Sequence, residues 1–482
     1  MSVTGARSQE ATIAVTRAGT VYHSPAALLD VGLGNLSGLA RSINRGGGWE
    51  KVAANPSTTP DPFDLQNCYC DPDLYVDPTT NRIYWFSEDN FYCGGNLNWS
   101  DDDGKTWKRT TQFGCPTTQD YINVWTAPPV TSTTTGYPNV VYLCTQGPVI
   151  AGGPSRACVK SLDGGLTALP VGSSGGTGIM PPPSLPGCSS YPITAGHQAA
   201  GDSKGVIYHA IALCGRPGVA ISRDEGSTWE YAYADTGAAT GTPGSEGGLG
   251  SVGMALDDAG VLYVGWIDAA RRLKIAASTT SGRTWRAPIV YTPKGIGAES
   301  KLALAARKHG HVAVAYWGGP TAGGAVSGYL SESFDALETK PVIYSAPVND
   351  PKRPLCAASS CNTLNTNFGN RLDYIDATFA PDGTPWAAFV ADCGFFDNCA
   401  SQSPQQPSSV LGVAGSLRLV TLPKTNPTGS KPPTATTPRA GNSGSGALPA
   451  TGMPSAVVLF ALPLIGAGLV GIAWLRRRRP IG

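Results

Sequence analysis

Apolar and small residues alternate in short runs along most of this chain, and each run is broken by a turn rich in Gly or Asp. The clearest case is VGMALDDAGVLYVGWID (252–268). The same phrase returns as LYVDPTTNRIYWF (74–86), QAAGDSKGVIYHAIAL (198–213), LALAARKHGHVAVAYW (302–317) and IDATFAPDGTPWAAFV (375–390). IAVTRAGTVYH (13–23) fits as well, and VWTAPPVTSTTTGYPNVVYLC (124–144) is a longer-looped member. A period of two on either side of a tight turn predicts an antiparallel hairpin. The runs are too short and too regular in this period for helices.

Between the hairpins a second phrase recurs, S-x-D-x-G-x-T-W. Ser100, Asp102, Gly104, Thr106 and Trp107 form one copy, and Ser222, Asp224, Gly226, Thr228 and Trp229 another. Ser278, Gly282, Thr284 and Trp285 keep the pattern with Thr280 in place of Asp; SLDGGLTA (161–168) lacks the Trp; SINRGGGW (42–49) carries Asn44 for Asp; SESFDALE (331–338) is the weakest copy. Each reads as a turn. Asp accepts hydrogen bonds from turn N–H groups, Gly takes the positive φ, and Trp covers apolar surface beside the hairpin. Starts at 42, 100, 161, 222, 278 and 331 recur every 53 to 61 residues. Regular spacing of this order marks a repeat architecture.

Each unit therefore reads strand, turn, strand, strand, box, strand. Four antiparallel strands per unit describe a β-propeller blade. The expected fold is an all-β propeller of seven blades, with six as the alternative if the N-terminal unit is partial, and SLRLVTL (416–422) as the final strand. A parallel β-helix is the runner-up architecture. Composition agrees: 61 Gly, 40 Pro, 41% hydrophobic and only 14% charged residues suit many short strands joined by turns. The net charge is +1, and Arg476 to Arg479 supply four of the positive charges. No basic face is left for a nucleic-acid partner.

The chain then changes character. Residues 424–447, KTNPTGSKPPTATTPRAGNSGSGA, form a Pro/Thr/Ser/Gly linker that buries no core and could extend roughly 75 Å at about 3.1 Å per residue. Leu448, Pro449, Ala450, Thr451 and Gly452 follow, then a largely apolar run that predicts a transmembrane helix over 456–475, then four arginines. Residues 1–11 show no apolar signal-peptide core. The sequence thus divides into 1–11, a propeller over 12–423, the linker over 424–447, and the tail over 448–482. Twelve cysteines indicate an oxidising compartment. Cys144 and Cys158 fall on adjacent predicted strands; Cys93 and Cys115 flank a box, and Cys188–Cys214, Cys356–Cys361 and Cys393–Cys399 are further pairings that spacing allows without proving.

The tail resembles the cell-wall sorting signal of Gram-positive surface proteins. That resemblance implies export, cleavage by a sortase between Thr451 and Gly452, and attachment of Thr451 to peptidoglycan. The S-x-D-x-G-x-T-W turns resemble the Asp boxes, or BNR repeats, of sialidase-like propellers, over roughly residues 10–422. The resemblance implies the fold, with the boxes away from the catalytic face. In the sialidases three arginines clamp the substrate carboxylate, a tyrosine activated by a glutamate attacks, and an aspartate is acid/base. No R-I-P-like element precedes Ser42, where only Arg7, Arg17 and Arg41 stand. The arginine clamp is therefore not assigned.

Inner-strand starts converge at one mouth of a propeller channel. Here those positions are Asp71, Asp73, Asp120, Tyr121, His197, Glu299, Lys301, Arg371, Asp373 and Tyr374. Tyr374, Asp373, Glu299 and Arg371 are the candidate catalytic set, offering phenol, carboxylates and a cation. Asp71, Asp73, Asp120, Tyr121, His197 and Lys301 are candidate binding residues, and Asp71, Asp73 and Asp120 could hold Ca²⁺. The plainer reading is that these groups cap strands and hydrate the mouth. GLGSVG (248–253) precedes a hairpin rather than a helix, and GSSGG (172–176) lies in a loop, so neither carries its usual chemistry. Two functions follow: a wall-anchored propeller presenting a binding face to glycans or surface proteins, or a tethered exo-acting glycosidase of sialidase type.

Overall fold

A computed structural model describes residues 2–7, 11–25, 39–52, 70–88, 95–110, 113, 122–150, 153–171, 179, 193–213, 216–236, 252–356, 375–391 and 411–416, all within one compact unit, Met1–Thr421. These residues form seven four-stranded antiparallel sheets. The first holds β2 (Ala11–Val15), β3 (Val21–Pro25), β4 (Ala40–Ser42) and β5 (Glu50–Lys51). The second holds β6 (Cys70–Val76), β7 (Ile83–Glu88), β8 (Gly95–Ser100) and β9 (Lys108–Thr110). The third holds β10 (Asn123–Ala127), β11 (Val140–Ile150), β12 (Gly153–Ser161) and β13 (Leu169–Pro170). The fourth holds β14 (Ile193–Gly201), β15 (Ile207–Leu213), β16 (Arg216–Ser222) and β17 (Glu230–Tyr233). The fifth holds β18 (Val252–Leu256), β19 (Leu262–Ile267), β20 (Leu273–Ser278) and β21 (Ile289–Val290). The sixth holds β22 (Gly297–Ala306), β23 (Val312–Gly319), β24 (Ser327–Ser333) and β25 (Tyr344–Pro347).

The last sheet is composite. Its strands are β26 (Asp376–Phe379), β27 (Pro385–Ala391), β28 (Leu411–Ser416) and, on the outer edge, β1 (Ser2–Arg7). β1 runs antiparallel to β28, with Ser2 opposite Ala414. The first strand of each sheet neighbours the first strand of the next, and β26 neighbours β2, so the seven inner strands close a ring around a channel.

Several expectations are corrected here. The described fold is all-β: it contains no helix, and no helix long and apolar enough to cross a membrane. The helix expected over 456–475 therefore finds no support, and those residues, with the linker and LPATG, lie outside the described ones. The repeat is not a row of equal consecutive units either. Six sheets are each built from consecutive strands, while the remaining one joins both ends of the ring. Residues 2–7, set apart as an N-terminal segment, are a strand of the propeller. The last described strand is Leu411–Ser416, and residues 417–422 of the expected final strand lie outside the described residues. The sixth box begins at Ser333 rather than Ser331: the Ser333 hydroxyl donates to Asp335 at 2.9 Å.

Apolar residues on facing sheets form the core. Tyr84, Phe86 and Leu97 of the second sheet pack on Val124, Val141 and Leu143 of the third, and Trp266 is buried in a cluster that joins the fourth sheet to the fifth. Burying one such Phe, Leu or Val stabilises by roughly 1.5–3 kcal/mol. Gly95 lets β8 lie against Phe86, since a Cβ there would sit 1.8 Å from the ring. Cys144 and Cys158 lie directly opposite each other on β11 and β12 and form a disulfide; Cys356 is disulfide-bonded as well.

The boxes occupy the turns between third and fourth strands of the first six sheets. In each complete copy one carboxylate organises the turn. Asp102 accepts from Ser100 Oγ (2.8 Å), Thr106 N (2.8 Å) and Thr106 Oγ1 (2.6 Å), while Gly104 N donates to Ser100 Oγ (2.8 Å). These bonds hold Asp102 down at about 2. Asp163 and Asp224 repeat the set. In the first copy Asn44 accepts from Ser42 and Gly48 N, and in the fifth the Thr280 hydroxyl stands in, meeting Thr284 N at 2.8 Å.

Candidate functional site

Three inner strands carry a register shift: β6 between Cys70 and Asp73, β14 between Ala195 and Ala199, and β22 between Glu299 and Leu302. Bulges of this kind re-aim side chains. They lie on alternate blades and bring polar residues to a channel of about 790 Å³ lined by Asp73, Asn123, Gln198, Met254, Leu304 and Asp376 among others.

The polar side chains there reach from blade to blade. Asp73 accepts the Val124 N–H of the next inner strand at 2.5 Å. Asp376 accepts the Ile13 N–H at 3.0 Å and so joins the last blade to the first. Gln198 accepts from Met254 N (3.1 Å) and Leu304 N (2.8 Å) and donates to Leu304 O (2.7 Å), tying the fourth blade to the fifth and sixth. Burial drives both carboxyls toward the neutral form. Asp376 is pushed up to about 7, and Asp73 rises well above its ordinary value by burial and then by the charge of Asp376.

Glu299 stands at the start of β22. Its carboxylate pairs with Arg271 and also accepts Gly323 N at 3.2 Å. Arg271 donates onward to the carbonyls of Gly297 (3.3 Å) and Gly319 (3.1 Å). This cluster clamps two loops of adjacent blades. Half-burial raises the Glu299 value despite Arg271. Lys301 is 2% exposed.

The structure brings together Asp73 from the expected set with Asp376, Gln198 and Asn123, which sequence reasoning missed. A polar residue starting an otherwise apolar inner strand was the signal available for Asp376 in IDATF and for Gln198 in QAAGD. Arg271 was also missed, since nothing in its turn distinguishes it from a solvated cation. Of the expected catalytic set only Glu299 is described. Tyr374, Asp373 and Arg371 lie outside the described residues, as do Asp120 and Tyr121. Asp71 and His197 are placed on β6 and β14 by their backbone. Among the described residues no group of three or more His, Cys, Asp or Glu gathers as metal ligands. His311 pairs with Glu332 in the interior, away from the channel lining.

No family model matches the chain, and no curated protein matches it. Solved propellers are similar in structure. The Hadza microbial sialidase Hz136 is 14% identical with a TM-score of 0.41, over 84% of this chain and 65% of that one, so the match spans just under two thirds of the sialidase. The GH74 xyloglucanase from Xanthomonas campestris is 15% identical with a TM-score of 0.45, over 80% of this chain and 52% of that one. The Aleuria aurantia lectin is 11% identical with a TM-score of 0.40, over 71% and 96%. At these values the likeness transfers neither substrate nor chemistry.

Proposed function

We propose that this chain is a cell-surface propeller that presents a binding face to glycans or surface proteins. One observation carries the reading. Three carboxyls that could do chemistry are engaged inside the fold: at the channel Asp73 and Asp376 accept main-chain N–H groups of neighbouring blades, and at the start of β22 Glu299 is paired with Arg271. A general acid or base must have a carboxyl within reach of the ligand's proton. A ring tied in this way suits rigid display. The Pro/Thr/Ser/Gly linker would supply reach, and LPATG with its apolar and basic sequel would make the tail a sortase substrate joined to peptidoglycan.

The alternative, an exo-acting hydrolase of sialidase type, draws on Asp376. A carboxyl near 7 lies in the range a general acid needs. The test is release of a fluorophore from a sialoside by the full chain between pH 4 and 8, with Tyr374→Phe as control. The binding reading predicts no release at any pH. Release abolished by Tyr374→Phe would establish the hydrolase instead.

A further inference from the structure

Asp73 and Asp376 line the channel with no cationic side chain paired to either among the described residues. Asp73 and Asp376 each accept one main-chain N–H from the neighbouring blade, and Asp376 also accepts the Ala377 N–H at 2.7 Å. A carboxylate has about four lone-pair sites, so both keep acceptor capacity. The two feel each other's charge. Asn123 begins β10 one residue before the N–H that Asp73 accepts. It lines the same channel, is 3% exposed, and its Oδ1 has no hydrogen-bond partner. Leaving a buried amide oxygen unpaired is destabilising. Gln198, on the same channel, has both ends of its amide satisfied. The Asn123 oxygen is left over where the Gln198 amide is paired; Thr16 Oγ1, on the same lining, is also without a partner.

Two carboxylates and a neutral amide oxygen are the donor chemistry of a hard divalent cation. We propose that the channel holds a calcium ion through Asp73 and Asp376, with the Asn123 amide oxygen as a neutral ligand. Two negative charges out of water are costly without a counter-charge. The ion would supply it and engage a buried oxygen on the channel lining that has no partner. This donor set shares only Asp73 with the three aspartates expected from the sequence, and it rests on the binding reading, since a metal-bound Asp376 is ionised and cannot serve as a general acid.

The test uses the full chain stripped with chelator. Equilibrium dialysis against radiolabelled calcium is expected to give saturable binding with a Kd at or below about 1 mM, the range of extracellular modules. The melting temperature is expected to rise by about 2–4 °C at saturation. Asp376→Asn and Asp73→Asn keep an acceptor for the neighbouring N–H and should weaken binding at least about tenfold, while Asp376→Asn in chelator melts no lower than the parent. Asn123→Ala leaves both acids in place and should weaken binding several-fold; it decides the matter if Asp73→Asn does not fold. The proposal is overturned if the parent chain binds no calcium saturably, or if binding persists unchanged in Asp376→Asn and Asn123→Ala.

Discussion

The Glu225 carboxylate, fully buried, leaves its own blade and ends 2.7 Å from the Lys160 ammonium of the blade before it. It also accepts the N–H groups of Val130, Thr131 and Ser132 at 2.7 to 2.9 Å. Glu225 is the fourth residue of its box, and it has a positive φ of 57°. The fourth residues of the first three boxes reach back as well. Asp103 meets Thr20 and Tyr22, Gly164 accepts from Arg82 and Tyr84, and Arg45 pairs with Asp382 of the composite sheet. The first four boxes thus tie their own hairpins and, through one residue each, the preceding blade.

Glu225→Ala should destabilise the chain by about 3 kcal/mol, because it strands a mostly buried ammonium and three N–H groups. Arg45→Ala should cost less than about 1 kcal/mol, since the Arg45–Asp382 pair is solvent-exposed at 62% and 38%. Chemical denaturation of the two variants checks the contrast. Burial acts to raise the Glu225 value, but Lys160, Ser132 and the N–H groups outweigh it and hold it far below its ordinary range. Its contribution is therefore present above about pH 4.5 and is lost only as pH falls toward that depressed value.

Thr280→Asp should stabilise. The fifth box makes its turn with a hydroxyl where Asp102 and Asp224 use a carboxylate, and Thr284 is already positioned to donate to it. Restoring the carboxylate adds a charge-assisted acceptor worth about 0.5–1.5 kcal/mol. A rise in the denaturation midpoint with unchanged slope is the expected reading.

Much of this was legible in the sequence because it is local. A box is eight consecutive residues, and its Asp, Gly and Thr bond one another, so the spelling carries the structure. Hairpins declare themselves through alternation, and Cys144 and Cys158 through their places on neighbouring strands. What was hidden is what joins distant residues. The fourth box position is free in the motif because its partner belongs to another blade: Glu225 and Ser132 are 93 residues apart. The bond from Asp376 to Ile13 spans 363 residues. β1 has no box or hairpin of its own, so it reads as a preamble until β28 is placed beside it. The box at Ser333 has lost its Gly and Trp, which let the weak copy be read two residues early.

Removing residues 1–7 should open the composite sheet. β28 would lose its outer partner, and Trp49 would lose the Ser2 hydroxyl that its indole N–H meets at 3.0 Å. Amides of β28 and β27 should exchange with solvent at least about tenfold faster in the shortened chain, with β18 and β19 much less affected, as expected for local rather than global opening. Hydrogen exchange on the two chains checks this.

The channel acids should make stability fall as pH rises in calcium-free buffer. Asp376 titrates near 7 in the folded chain against an ordinary 3.8. Its contribution is full below about pH 4 and is lost as pH climbs through 7. Asp376→Asn removes the titration, so its advantage over the parent should grow from near zero at pH 4 to on the order of 3 kcal/mol at pH 8. Unfolding curves across that range give the difference directly.

The central claim is that the ring holds a ligand without converting it. The most direct measurement incubates the full chain with the glycan it retains best on a glycan array, then determines both the bound fraction and the mass of the recovered glycan. Saturable binding with the glycan returned at its original mass is the predicted result. Recovery of a shortened glycan in amounts exceeding the protein would contradict it.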